Sequence, residues 1–183
     1  MPAPWLGDAS SAAGLEAWSL RRVARAEGPE FEQLVTFMVA NPAYRLQTQG
    51  RVHQRRDAVD LAQDLPAGAT PAQKYLWTLW HDERVVGCLE VLRGWPQAHT
   101  VYIGFLMTDE RQRHRGHARA ALRLLAQRSR SWSGVRRWRL AVVDSQEDAL
   151  RFWRRAGFAP TGEQLVSDSY RRPLVVMERA ALR

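Results

Sequence analysis

The stretch Val101-Tyr-Ile-Gly-Phe-Leu-Met-Thr-Asp-Glu-Arg-Gln-Arg-His-Arg-Gly-His-Ala-Arg-Ala-Ala-Leu122 decides the fold. It begins as an apolar strand, passes through a basic loop with one glycine, and continues as a helix. The loop carries Arg113-x-x-Gly116-x-Ala118 where the helix starts. N–H groups in the first turn of a helix have no intrahelical partners, and the helix dipole makes that end electropositive. An anion, most often a phosphate, binds there readily. Gly116 lets the backbone approach a ligand without a Cβ in the way. Ala118 is small enough for the helix to start close beneath it, and Arg111, Arg113, Arg115 and Arg119 surround the point with positive charge. On its own the hexapeptide reads equally well as a solvated basic helix start, so the rest of the chain must decide.

A chain of 183 residues fits one domain with a sizeable core. Residues 1–14 have neither the basic region nor the long apolar run of a secretory signal and read as a loose leader, which leaves 15–183 as a single domain. No apolar run approaches the roughly 20 residues needed to span a membrane. One cysteine, Cys88, excludes an internal disulfide and fits a reducing, cytoplasmic setting; its apolar neighbours suggest a buried, inert thiol. The net charge is +8, and 26 of the 27 basic residues are arginine, Lys74 being the exception. Such a balance allows nucleic-acid binding. The arginines are spread along the chain, however, and neither a polybasic tail nor an interleaved aromatic RNA-binding motif is present. An anionic ligand at one face explains the 111–119 cluster as well. No His/Cys spacing suggests a metal site.

Around the decisive stretch, Leu15–Ala24 alternates as a first strand. Pro29 opens a helix that runs through Val39 and is broken by Asn41-Pro42. Arg55–Leu65 is a second amphipathic helix and 66–71 a loop. Lys74–Trp80 and Val85–Leu92 form a hairpin, and Thr100–Met107 is the fourth strand. The third helix spans Gly116–Trp132 and is closed by Gly134. Arg137–Val143 is a fifth strand, Asp148–Ala156 a short helix ended by Gly157, and Phe158–Val166 with Leu174–Arg179 a last antiparallel pair. This order predicts an α/β domain (an α+β mixed sheet). The sheet is mostly antiparallel, helices lie on both faces, and the fourth strand, third helix and fifth strand form a right-handed parallel crossover. Ligands of such sheets favour the carboxyl ends of strands where neighbours diverge, which is where the basic loop leaves.

The order and these residues resemble the GNAT superfamily of N-acetyltransferases over about residues 15 to 180. Arg113-x-x-Gly116-x-Ala118 matches the family's [Gln/Arg]-x-x-Gly-x-[Gly/Ala]. Val143-Asp-Ser-Gln-Glu-Asp-Ala-Leu-Arg-Phe-Trp-Arg-Arg-Ala-Gly-Phe158 is similar to its short helix ending in Gly-Phe, at the expected separation. The resemblance implies acetyl-CoA as co-substrate. Its pyrophosphate would rest on Arg113, His114, Arg115, Gly116, His117 and Ala118, and its pantetheine arm would pair with the fourth strand near a bulge, at Leu106, Met107 and Thr108. The resemblance also places Gln146 and Trp153 at the cofactor, where the family usually has Asn and Tyr. That Tyr commonly reprotonates the leaving thiolate, whereas Trp offers only an N–H donor. Trp153 therefore either contacts the thioester or is a core aromatic.

Acyl transfer to an amine needs a neutral nucleophile, a donor to the carbonyl oxygen, and alignment of the two reactants. A backbone N–H near Met107 is the expected oxygen donor. The fourth strand offers no acid, so Glu90 on the third strand is the candidate base, against a reading as an exposed strand residue. Tyr170, between the last two strands, is a candidate substrate or proton-transfer residue; His99 and Tyr102 are weaker options. His114 and His117 read as solvated or phosphate-facing. The 41–56 segment and Trp95 would flank the acceptor, Trp95 either lining a pocket or capping the core. The acceptor is read only as a small-molecule or peptide amine, and a homodimer stays open. Two other readings stand beside transfer: a non-catalytic acyl-CoA-binding protein of the same fold, and a basic nucleic-acid-binding module.

Overall fold

The computed structural model describes residues 15–181. The leader expected at 1–14 lies outside the described residues. Seven strands, β1 (Trp18–Arg22), β2 (Lys74–His81), β3 (Arg84–Arg93), β4 (Thr100–Thr108), β5 (Arg137–Val143), β6 (Ala159–Leu165) and β7 (Leu174–Ala180), form one sheet in the order β1-β2-β3-β4-β5-β7-β6. Every neighbouring pair is antiparallel except β4–β5, which is parallel as the crossover requires.

The helices divide between the two faces. One face is covered by α4 (His117–Ser129) and α5 (Glu147–Arg155), over a core that includes Leu89, Val101, Ile103, Leu122, Leu125, Trp138 and Leu140. The other is covered by α1 (Pro29–Ala40), α2 (Ala43–Gln49) and α3 (Arg55–Gln63), over Leu76, Cys88 and Met107. Strand alternation assigns the side chains: Leu89 and Val91 point to the first core, Cys88 and Glu90 to the second face.

Several boundaries differ from the sequence reading. β1 is only five residues long, because beyond Arg22 the chain keeps a single bridge, from Val23 N–H to the Leu76 carbonyl. α4 stops at Ser129, with Trp132 in the following turn. The helix α2 was not anticipated at all; its seven residues are too few to show a period, and Pro42 reads as a breaker although here it caps the helix.

The segment from α2 to α3 is held by charge. The Asp57 carboxylate is buried and takes a bidentate contact from Arg51 at 2.6 and 2.9 Å, the Gln54 N–H at 2.7 Å, and the Arg45 guanidinium at 3.2 Å. Burial alone would raise its pKa, but the hydrogen bond from Arg51 and the remaining partners outweigh it and hold the carboxyl at about 2. A carboxyl depressed in the folded state stabilises the fold above its unfolded pKa of about 3.9 and loses that contribution as pH falls through the interval down to about 2. Asp57→Ala is therefore expected to cost about 3 kcal/mol at neutral pH, near the low end for a broken buried pair because Arg51 can turn to solvent. Urea denaturation of the two proteins at pH 7 and pH 3 checks this, since the difference should shrink at the lower pH.

Candidate active site

At the carboxyl end of β4, Asp109 organises the turn. Its Oδ1 accepts from Arg111 N–H at 2.9 Å and its Oδ2 from Gln112 Nε2 at 3.0 Å. Glu110 fixes the turn to the α1–α2 junction, with its N–H on Asn41 Oδ1 at 2.8 Å and its Oε2 accepting from Ala43 N–H at 2.9 Å. The chain then exposes Arg113, His114, Arg115 and Gly116. His114 and Gly116 are left-handed, at φ 65° and 86°. Such alternation turns neighbouring N–H groups toward one side. The first α4 hydrogen bond runs from Ala120 N–H to the Gly116 carbonyl, so the N–H groups of His117, Ala118 and Arg119 lie at the helix mouth. A Cβ added at Gly116 would meet no atom within 4 Å. The space beside Gly116 is open, with free helix-end amides next to it and exposed arginines on either side in the chain, and it suits a diphosphate.

His117 departs from its sequence reading as a solvated or phosphate-facing side chain. Its ring is turned inward and is only 3% exposed. Trp18 Nε1 donates to its Nδ1 at 3.2 Å, and His81 lies 5.6 Å away, ring to ring. The cause is helical periodicity: His117 shares the inward stripe with Ala120, Ala121 and Leu125. His117 thus offers the cradle its backbone N–H, not its imidazole.

The parting of β4 from β5 creates the second part of the site. The strands pair only from Thr100↔Arg137 to Ile103↔Leu140. On the other edge of β4, Phe105 faces Glu90 and Ile103 faces Val91, so Gly104 is the extra residue of a β-bulge. The bulge bends β4 away and leaves its outer edge unpaired by β5. Asp109 N–H reaches the Val86 carbonyl at 2.9 Å, and Met107 O lies against Gly87. By antiparallel alternation, Met107 turns its peptide groups toward β3, while Leu106 and Thr108 turn theirs into the gap. The backbone N–H groups near Met107 that face the gap are therefore those of Leu106 and Thr108.

Glu90 sits at the bulge. It is 5% exposed, which overturns its reading as an exposed strand residue: the face it points to is roofed by α1–α3. Its Oε2 occupies the space that a Cβ at residue 104 would take, so a side chain there would displace the carboxyl. Its Oε1 is 3.5 Å from Lys74 Nζ. Burial pushes the Glu90 carboxyl above the usual range, against the pull of the Lys74 ammonium.

Beyond Glu90 lies an aromatic sleeve. Tyr102 packs edge-on against Trp95 at 4.9 Å between ring centres, and Trp95 Nε1 is anchored on the Ala67 carbonyl at 3.0 Å. Tyr44 packs edge-on against Phe105 at 5.7 Å and hydrogen-bonds with Tyr170. Desolvation raises both half-buried phenols, Tyr102 to about 12. Arg139 lies beside Tyr102 with its charge matched by Glu163 and Glu178. The loop carrying Tyr170 is tied to α2 by Arg171 N–H on the Thr48 carbonyl. Tyr170 and the 41–56 segment thus meet on this side, whereas nothing brings His99 to the bulge.

Gln146 is the N-terminal cap residue of α5 and makes no side-chain capping bond. Trp153 is 7% exposed, edge-on to Phe152 at 5.0 Å and to Phe158 at 5.1 Å, and belongs to the core beneath α5. Cys88 is fully buried, and burial pushes its thiol up. The sequence reading missed Tyr44, Gly104 and Lys74. An isolated glycine inside an apolar strand is a bulge signal, and Gly104 carried it. Among the described residues no cluster of three or more His, Cys, Asp or Glu could hold a metal, and no helix is long and apolar enough to cross a membrane.

The buried Glu90 carboxylate stands at the bulge beside the gap. The open helix mouth suits a diphosphate, and the unpaired edge of β4 suits a chain that carries amides. A diphosphate joined to such a chain is the form of an acyl-CoA, and the fold and groove define an acyltransferase that uses one. The chain belongs to the GNAT family of acetyltransferases: the model described as Acetyltransferase (GNAT) family matches residues 37–158. Its co-substrate is acetyl-CoA. Solved structures share the fold at low identity. An acetyltransferase from Thermus thermophilus is 21% identical, with a TM-score of 0.66 over 91% of this chain and 98% of that one. The Salmonella typhimurium enzyme that modifies the N-terminal serine of 50S ribosomal subunit protein L7/L12 is 17% identical, with a TM-score of 0.67 over 90% and 95%. A GNAT acetyltransferase from Elizabethkingia anophelis with acetyl-CoA bound is 10% identical, with a TM-score of 0.59 over 90% and 99%. No curated protein matches the sequence.

Proposed function

We propose that the protein moves the acetyl group directly to a primary amine, with Glu90 as the general base and the sleeve of Tyr44, Tyr102, Phe105 and Tyr170 as the acceptor's entry. The reading rests on one observation: a buried carboxylate at the bulge where β4 parts from β5. Acetyl-CoA supplies the acyl group as a thioester; the acceptor's N–C bond forms, the C–S bond breaks, the amine proton leaves to Glu90, and the thiolate takes a proton from water. Arg113, His114, Arg115 and the amides of residues 116–118 hold the diphosphate. The Leu106 and Thr108 peptide groups extend the sheet toward the pantetheine amides, and one of their N–H groups faces the developing oxyanion. A buried carboxyl with raised pKa is a better base than a solvated one near neutral pH. Direct transfer is favoured because the chain's single thiol, Cys88, is buried and held protonated. Trp153 packs in the core and carries no titratable proton to serve as the acid. The acceptor is an amine on a small molecule or a peptide terminus.

The test is release of free thiol from acetyl-CoA over a panel of small primary amines and short peptides. We expect at least one amine to turn over, with its mass increased by one acetyl group. Tight CoA binding with no amine consumed would remove the catalytic reading and leave a CoA-binding protein. Absence of CoA binding would remove both.

A further inference from the structure

We propose that Lys74 is a positioning residue for the transfer reaction: it holds Glu90 by one oxygen only, keeping Oε1 engaged and Oε2 free over the Gly104 bulge to receive the acceptor's proton. The proposal rests on the reading of Glu90 as the base.

The geometry has three parts. Lys74 Nζ donates to the Asp64 carbonyl at 2.5 Å, so the ammonium is fixed to the chain just after α3 and does not depend on Glu90 for its place. Its second contact is Glu90 Oε1 at 3.5 Å. Oε2 lies on the other side of the carboxyl, against Gly104, the residue that parts β4 from β5. The charged and titratable groups facing Glu90 are Lys74 from β2 and Tyr102 from β4, with Arg139 of β5 and Tyr170 of the β6–β7 loop beyond Tyr102. Arg139 is matched by Glu163 and Glu178, so Lys74 is the cation that acts on Glu90.

The composition supports the same conclusion. Of 27 basic positions, 26 are arginine, and the one lysine stands at the buried slot beside Glu90. A guanidinium is a planar fork that engages both oxygens of a carboxylate at once, whereas an ammonium is a compact point charge that can hold one. Arginine at 74 would stabilise the carboxylate and also occupy the oxygen that has to accept the proton. Lysine stabilises the ion and leaves that oxygen available.

The test reads the carboxyl directly, without an acceptor. The full chain is labelled with 13Cδ-glutamate, the Glu90 signal is assigned by its loss in Glu90→Gln, and its midpoint is titrated by NMR. An opposite charge at this range depresses a carboxyl pKa by about one to three units. Lys74→Met, and Lys74→Gln as a second uncharged variant that can keep the bond to the Asp64 carbonyl, are therefore expected to raise the midpoint by about one unit or more. The acid limb of kcat/KM, measured with an amine from the panel, should move up with it and recover at alkaline pH, which a merely structural loss would not produce. Lys74→Arg should leave the midpoint no higher than in the parent yet lower kcat. An unchanged midpoint in the uncharged variants, or Lys74→Arg with the parent's kcat, would overturn the proposal. Turnover that survives Glu90→Gln would instead remove the base reading while leaving the NMR midpoints as they are, so the two failures are distinguishable.

Discussion

Gly116→Glu is expected to abolish acetyl-CoA binding while leaving the protein folded. Two effects act together at this position. The backbone sits at φ 86°, where a residue with a Cβ costs about 1–2 kcal/mol. The new carboxylate would also enter the space in front of the α4 amides, where the diphosphate has to sit, and a like charge there opposes the ligand at close range. No atom lies within 4 Å of the added Cβ, so the core is not disturbed and the fold pays only for the backbone. Calorimetry with coenzyme A should show affinity reduced more than about a hundred-fold, a change of roughly 3 kcal/mol or more, with thermal stability lowered only modestly. Gly116→Ala is the control for strain alone and should keep most of the affinity. Parental affinity in the glutamate variant would mean that the diphosphate binds elsewhere.

Glu90→Gln is expected to lower kcat/KM by about 10²–10⁴, the usual contribution of a general base, with coenzyme A affinity unchanged. Glutamine keeps the shape that fits over Gly104 but removes the acceptor for the amine proton. The acid limb of the pH profile should then lose the part set by Glu90 and keep only the part set by the amine itself. The sign follows from burial: Glu90 is raised in the folded protein, so its base form grows in as pH rises, and the parent loses activity as pH falls. A variant with parental kcat/KM would remove Glu90 from the mechanism. A variant that also loses coenzyme A affinity would show a role in binding rather than proton transfer.

The strand–loop–helix of β4 and α4 was legible in the sequence because a strand period, a glycine and a helical stripe follow one another without interruption from Val101 to Leu122. The parallel crossover followed from the same run. The face of Glu90 was not legible. Alternation along β3 places it with Cys88 and Leu92, but a local pattern does not say which face the helices cover. That cover comes from α1, α2 and α3, whose approach depends on contacts far apart in sequence, such as Glu110 with Asn41 and Ala43. His117 was misread for a related reason: the first residue of a helix belongs both to the loop and to the inward stripe, and here Trp18, 99 residues away, settles its direction. Tyr44 was invisible because α2 is too short for a period to show.

The short run of pairing between β4 and β5 has a mechanical consequence. Four residue pairs join a four-stranded half-sheet to a three-stranded one, and above that seam the two halves stand apart over a shared core. That short seam borders the gap proposed for the acyl donor. A co-substrate bound there, as proposed, would act as a splint between the halves. Its arrival should slow amide exchange at Leu106 and Thr108 and tighten strands that it never touches, so the molecule's stiffness rises and falls with the supply of its own acyl donor.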